Sequence, residues 1–232
     1  MNLILEQVGS VFSAPDSLKF VSGLMVLWGI SNLVTLQFTT APYGRYTRPG
    51  WGCLLPAKLA WFLQELPSFV VPLVVLSRWR SDESVNIHGN NKILIGCFLV
   101  HYFHRTFIFP LRIRGGKPIP LFPFMAAVFF CSVNGALQTY GILLPNTEIH
   151  YWFQKARFCL GFLFEYVSGA NFLGEIVEWI GFSVACNNLP SLAFAVFTLC
   201  NIGPRAFHHH RFYREKFEDY PKDRKALIPF VL

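Results

Sequence analysis

Charge is what this sequence has least of. Only 14% of its 232 residues are Asp, Glu, Lys or Arg, against roughly 25% in an ordinary soluble domain, too few to coat a solvated surface. Phe20–Gly44, Pro118–Thr147 and Trp179–Pro204 contain none, and Ile93–His104 carries only the histidines His101 and His104. The first three stretches exceed the ~20 apolar residues a helix needs to cross a bilayer. Disorder, nucleic-acid binding and a secreted disulfide scaffold are excluded as principal readings. The six cysteines (53, 97, 131, 159, 186 and 200) lie in or beside apolar segments and form no CxxC pair, which argues against a disulfide or zinc framework. GxGxxG and GxxxxGK[ST] are missing too, so any nucleotide is held by side-chain cations rather than by a glycine loop.

What remains is an all-α, polytopic transmembrane bundle. Spans are expected at Phe20–Thr40, Cys53–Leu76, Lys92–Leu111, Pro118–Leu144 and Ser168–Ala185. A last apolar element, Ser191–Gly203, follows a break at Asn187–Pro190, and a soluble basic tail closes the chain. Arg157–Val167 is apolar but too short to span alone. One membrane domain over residues 1–232, with 205–232 as its tail, is the simplest count. No basic leader precedes the first span, which reads as retained, and no lipidation or retrieval signal closes the chain. The formal charge of +7 gathers at Arg45/Arg48, at Arg105/Arg112/Arg114/Lys117 and from Arg205 to Lys225. Topology alone explains such clusters by the positive-inside rule; holding an anionic cofactor is the sharper reading.

A charge at bilayer depth costs several kcal/mol unless paired or hydrated and so marks function by default. Glu65 is one, beside the helix-breaking Pro67; it is either functional or paired structurally with an arginine of a neighbouring span. His101, His104 and Arg105 share a helical face at i, i+3 and i+4, with Tyr102 meeting Arg105 at i+3. Asn171, Glu175 and Glu178 form one polar stripe at i, i+4 and i+7, where Asn171 also suits simple helix–helix hydrogen bonding. The run His208–His210 suggests metal, but seven histidines in all, two of them (His88 and His150) in loops, fall short of the histidine boxes of membrane di-iron oxygenases, so no metal site is assigned. Together these residues describe a lipid-accessible cavity with a Glu, a Tyr, two His and several Arg, suited to polarising a carbonyl and clamping a polyanion.

The segments AWFLQELPSF (60–69), VHYFHRTF (100–107), YVSGANFLGEIVEWIG (166–181), RAFHHHRFY (205–213) and FEDYPKDRKALIPF (217–230) carry a specific likeness. The chain resembles the steroid 5α-reductases, over nearly its whole length beyond residue 40. The resemblance implies a seven-helix, multi-pass enzyme of the endoplasmic reticulum membrane. Its members reduce the 4,5 double bond of 3-oxo-Δ4-steroids such as testosterone and progesterone with NADPH as hydride donor. It implies that Tyr102, supported by Glu65, hydrogen-bonds the steroid 3-oxo group, and that Asn171, Glu175, Arg205, His209, Tyr213 and Arg224 line or support the NADPH site, with Arg105 and Arg114 in the matching basic loop. The partners it implies are a steroid and the lipid bilayer, and no nucleic acid.

The likeness has one large gap. Where the family carries a further helix and basic loop after the fourth span, this chain runs from Phe162 directly into Leu163, a loss of about 40 residues by resemblance. Six spans in place of seven would put the tail and the Arg112–Lys117 loop on opposite sides, although both are basic and both belong in the cytosol. The expectation is therefore a shortened form with impaired cofactor binding and little or no activity, with association with full-length reductase as a further expected partner.

Overall fold

The computed structural model describes residue 12 and residues 14–79, 89–144 and 166–231. The polar connector, most of the short apolar segment 157–167 and most of the loop 77–91 lie outside the described residues. The described elements are helical apart from a two-residue strand pair, and four helices are long and apolar enough to cross a membrane. The chain is a polytopic helical membrane protein. It divides into two compact units, residues 1–21 with 41–147, and residues 22–40 with 148–232. The first long helix, α1 (Pro15–Phe38), contributes to both. Its apolar side chains Phe20, Leu27 and Phe38 are exposed, as suits a helix whose solvent is hydrocarbon.

In the first unit, α2 (Ala57–Trp79) carries Pro67 and Pro72 inside its length. Each proline removes an N–H and so releases the carbonyl four residues earlier, a cost that apolar spans tolerate when neighbours fill in. A continuous helical stretch follows: α3 (Gly89–Phe103), a π-helical turn (His104–Ile108) and α4 (Phe109–Arg112). The expected third span is thus present, but it contains a widened turn that periodicity did not announce. An aromatic seam joins it to α2, with Trp61 against Phe109, Phe62 against Phe107, and Phe69 against both Phe103 and Phe107.

The helix α5 (Leu121–Leu143) packs on α2. They approach tightly at Gly135, where an added Cβ would lie 3.3 Å from the Pro67 carbonyl, from Pro72 Cδ and from Ser68 Cα. Two strands, β1 (Leu54–Leu55) and β2 (Ile119–Pro120), pair antiparallel just before α2 and α5. The second span therefore begins at Ala57 rather than Cys53. Thr47 Oγ1 donates to the Pro118 carbonyl at 2.9 Å and Lys117 Nζ to the Arg45 carbonyl at 3.3 Å. Two basic clusters that are distant in sequence are thereby tied together, as loops on one side of a membrane must be.

The second unit is built on a helical hairpin, α6 (Ala170–Cys186) and α7 (Leu189–Lys216). The expected break is real: Asn187 closes α6 in the left-handed conformation at φ 46, and Asn188 caps α7 by accepting from Ser191 N–H at 2.9 Å, as such residues do. At 17 residues α6 rises about 25 Å, short of a ~30 Å hydrocarbon core. The expectation for the last element needs correction. No break separates an apolar element from a soluble tail at Gly203; α7 runs unbroken through Pro204 to Lys216. Ala206, 0% exposed, packs there with Phe172, Ile176, Ile202 and Leu227, and that packing carries the helix past the proline.

The tight α2–α5 approach yields a prediction. Gly135→Val places branched carbons against the backbone of Pro67 and Ser68 and the Pro72 ring. It is expected to cost about 1–3 kcal/mol as overpacking, read as a lowered unfolding temperature in detergent, while Val128→Ile on the half-buried part of α5 leaves the transition near that of the parent chain.

Candidate active site and cofactor-side cluster

The first unit buries a polar centre inside three apolar helices. Glu65 on α2 is 5% exposed and Tyr102 on α3 3%. Arg105, in the π-helical turn, donates from Nη2 to Glu65 Oε1 at 3.1 Å. Its guanidinium also lies 5.7 Å from the Trp61 ring centre, so the cation is held by a carboxylate and an aromatic face together. Of the two readings open for Glu65, the pairing with an arginine of a neighbouring span is present. Arg105, expected among the cofactor residues, is engaged at the carboxylate.

Tyr102 has a different set of neighbours. Its hydroxyl oxygen accepts from Asn134 Nδ2 at 3.3 Å, and Asn134 Oδ1 accepts from Gln138 Nε2 at 3.1 Å. Ser68, fully buried on α2, donates to the Cys131 carbonyl at 3.1 Å and also interacts with the phenol. The His101 ring stands edge-on to Tyr102 at 5.1 Å. His104, expected on the same face, is exposed instead, because the π-helical turn opens at this residue and changes the rotation from one side chain to the next. Asn134, Gln138 and Ser68 escaped the sequence reading. The two amides at i, i+4 in the middle of a charge-free span were the available signal.

The remaining candidates fall in two places. Arg114 lies exposed in the loop after α4, within the first unit. Asn171, Glu175, Arg205, His209, Tyr213 and Arg224 all belong to the second. There Arg205 lies over the Phe172 ring at 5.5 Å, His209 meets the other side chains through Phe172 at 5.1 Å and Tyr213 at 6.4 Å, Tyr213 stacks on Tyr220 at 5.8 Å, and Arg224 lies over Tyr220 at 5.1 Å. These four side chains are half-buried, Glu175 is half-buried, and Asn171 and Glu178 are exposed. Two guanidinium groups, an imidazole and a phenol held on aromatic faces form a donor set whose chemistry fits phosphate oxygens.

The C-terminal segment is fastened onto this unit by Ser168. Its Oγ lies 2.7 Å from His210 Nδ1, 2.7 Å from the Tyr220 hydroxyl and 3.2 Å from the Lys225 carbonyl, to which it donates. The adjoining backbone pairs as Ser168 N–H to Lys225 O, Lys225 N–H to Tyr166 O and Gly169 N–H to Ala226 O. Gly169 is required there, since an added Cβ would sit 2.9 Å from both Ala206 Cβ and the Ala226 carbonyl. The three consecutive histidines point apart: His208 toward the Leu36 backbone, His209 to Phe172, His210 to Ser168. Burial holds both His208 and His210 below the ordinary imidazole range, helped at His210 by the charges of Arg214 and Lys225.

Comparison with known proteins places these features. A family model described as 3-oxo-5-alpha-steroid 4-dehydrogenase matches residues 152–232. The chain is 42% identical over 249 residues to 3-oxo-5-alpha-steroid 4-dehydrogenase 2 of Macaca fascicularis, covering 91% of this chain and 96% of the relative. It is 42% identical over 250 residues to the human type 2 protein, covering 89% and 96%, and 39% identical over 251 residues to the mouse type 1 protein, covering 94% and 96%. Each aligned stretch is longer than the whole of this chain, so the relatives carry residues that have no counterpart here.

Two predictions arise from these geometries. Removing one member of the buried ion pair strands the other, so Glu65→Gln and Arg105→Met should each destabilise the protein more than the two together, with a coupling of about 1–3 kcal/mol in thermal unfolding. For the serine clasp the sign follows from the neutral form of His210 being favoured by folding. The native protein binds fewer protons than the unfolded chain just below the ordinary pKa near 6.5, so stability rises with pH through that window and is lost as pH falls. Proteolysis of the C-terminal segment should therefore speed up from pH 7.5 to 5.5, and His210→Gln should flatten the dependence.

Proposed function

The chain belongs to the 3-oxo-5-alpha-steroid 4-dehydrogenase family of oxidoreductases, and we propose that it is built to reduce the 4,5 double bond of 3-oxo-Δ4-steroids to 5α-steroids with NADPH, in the endoplasmic reticulum membrane. The observation that carries this reading is the buried phenol of Tyr102 with Glu65 and Arg105 one helical face away, an acid–cation–phenol group that an apolar bundle has no reason to bury for stability alone.

The proposed chemistry starts at the steroid ketone. Tyr102 donates its hydroxyl hydrogen to the 3-oxo oxygen and draws electron density toward it, which makes C5 of the conjugated enone electrophilic. Hydride arriving at C5 puts enolate-like charge on that oxygen, and the hydrogen bond strengthens as it does, which is where a preoriented donor lowers a barrier most; a proton taken up from solvent at C4 then returns the enolate to the saturated 3-ketone. Glu65 and Arg105 fix each other and set the local field around the phenol. Water is kept away by the aromatic seam between α2 and the α3–α4 stretch. NADPH, when bound, supplies hydride; Arg205, His209, Tyr213 and Arg224, with Asn171, Glu175 and Arg114, are the residues we assign to hold it. Guanidinium groups suit its phosphates, while Asn171 and Glu175 suit hydrogen-bonding hydroxyl or amide groups.

One observation favours a second reading. Because each aligned stretch exceeds the length of this chain, a shortened form that keeps the steroid grip and loses part of its cofactor contacts fits the comparisons as well. Such a chain would act by binding steroid or by pairing with full-length reductase.

Expression in microsomes, with NADPH-dependent conversion of testosterone as the readout, tests both. The reductase reading expects turnover that Tyr102→Phe lowers by roughly 10²–10³-fold, the usual cost of losing one donor to a developing oxyanion. Arg205→Gln should instead raise the half-saturating NADPH concentration about tenfold or more with a smaller change in kcat. Steroid binding without turnover and without measurable NADPH affinity would establish the second reading and sink the first.

A further inference from the structure

Two primary amides sit in the charge-free span of the first unit. Asn134 and Gln138 are one helical turn apart on α5 and are 0% and 1% exposed. At this depth an unsatisfied amide costs several kcal/mol, so their presence demands partners. The partners found have a direction. Gln138 Nε2 donates to Asn134 Oδ1, and Asn134 Nδ2 donates to the Tyr102 oxygen. Because Gln138 occupies the carbonyl side of Asn134, the amide of Asn134 has its amino group turned toward the phenol. The phenol oxygen is thereby an acceptor in the chain, and its own hydrogen is directed away from Asn134.

Helix–helix adhesion would need only that the amides be paired, in either direction. The one-way order does more. We infer that Asn134 and Gln138 are positioning residues for Tyr102. Asn134 holds the hydroxyl oriented as a donor and polarises it, and Gln138 keeps Asn134 from turning over. Donations in series reinforce one another by roughly 10–30% per bond in a low-dielectric site, so the far amide strengthens the phenol's hydrogen bond without touching a ligand. The inference rests on the proposed reading of Tyr102 as the donor to a steroid ketone.

The test reads that hydrogen bond directly rather than turnover. The full chain in lipid nanodiscs is loaded with testosterone labelled with oxygen-18 at the 3-oxo position, and the infrared carbonyl band of the bound steroid is measured. In the parent chain the band should shift to lower frequency relative to an apolar solvent, and Tyr102→Phe should remove most of the shift. Asn134→Leu, close in volume, should forfeit at least a tenth to about a third of it, and Gln138→Met a smaller part. On the Tyr102→Phe background neither substitution should change the band further. Should Asn134→Leu fail to fold, Gln138→Met carries the same comparison with Asn134 in place. A band unmoved by both amide substitutions, yet abolished by Tyr102→Phe, overturns the positioning role and leaves the reductase reading standing. A parent chain that binds testosterone with no shift, or does not bind it at all, overturns the ketone-donor reading and this inference with it.

Discussion

A carboxylate and a guanidinium sunk among hydrocarbon-facing helices constrain everything around them. Glu65 is carried by an apolar helix whose two prolines already release carbonyls, and Arg105 reaches it at 3.1 Å. The desolvation cost of such a pair is several kcal/mol per ion and is returned only with close geometry and further hydrogen bonds. The requirement fixes the register of α2 against the α3–α4 stretch, and it gives the π-helical turn a role. The widened turn sets Arg105 facing the carboxylate and Trp61, while His104 faces outward. The aromatic seam on the same two elements then shields the pair, and Gly135 lets α5 approach closely enough for Ser68, Asn134 and Tyr102 to meet.

The second unit solves a different problem, keeping a strongly basic segment folded against itself. Among the groups described here, the answer is aromatic faces. Arg205 lies over the Phe172 ring and Arg224 over the Tyr220 ring, a geometry in which the planar guanidinium packs by its face and donates from its edge. Ser168 closes the structure by joining α7, through His210, to the returning C-terminal segment. Successive helical residues turn by about 100°, so the three imidazoles of His208–His210 meet three different neighbours.

Much of this was legible in advance. The absence of charge located α1, α5 and the centre of the α3–α4 stretch, while the charge-free run Trp179–Pro204 straddles the α6–α7 turn, which Asn187–Pro190 announced through its left-handed and capping residues. Glu65 and Tyr102 stood out because burying them is expensive. What escaped the reading depends on tertiary contacts with little local signature. The strand pair of Leu54–Leu55 with Ile119–Pro120 joins residues far apart in sequence, and two residues carry no periodicity. The π-helical turn replaces ordinary turns without a proline or glycine of its own to betray it. The end of the apolar run at Gly203 misled in the opposite sense. The helix continues through Pro204 to Lys216, with Ile202 and Ala206 on either side of the proline packed into a core with Phe172 and Leu227. Asn134 and Gln138 were legible and went unread, since attention to charge passed over uncharged groups that are nearly as costly at that depth.

The division of labour also bears on what a shorter chain retains. Within the first unit Glu65 is paired with Arg105, and Tyr102 with Asn134 and, through it, Gln138. The family model matches residues 152–232, and the join at Phe162–Leu163, where resemblance puts the absent block, falls inside that stretch. A loss at this point leaves the phenol, the ion pair and the amide chain with all the partners described above. It shortens the part of the protein whose cations we assign to the cofactor. On the proposed reading, the contacts assigned to the ketone lie within α2, α3, the π-helical turn and α5, whereas the residues assigned to the cofactor lie chiefly in the unit that carries the join, so a steroid-binding assay and an NADPH-dependent turnover assay would read different units of this chain.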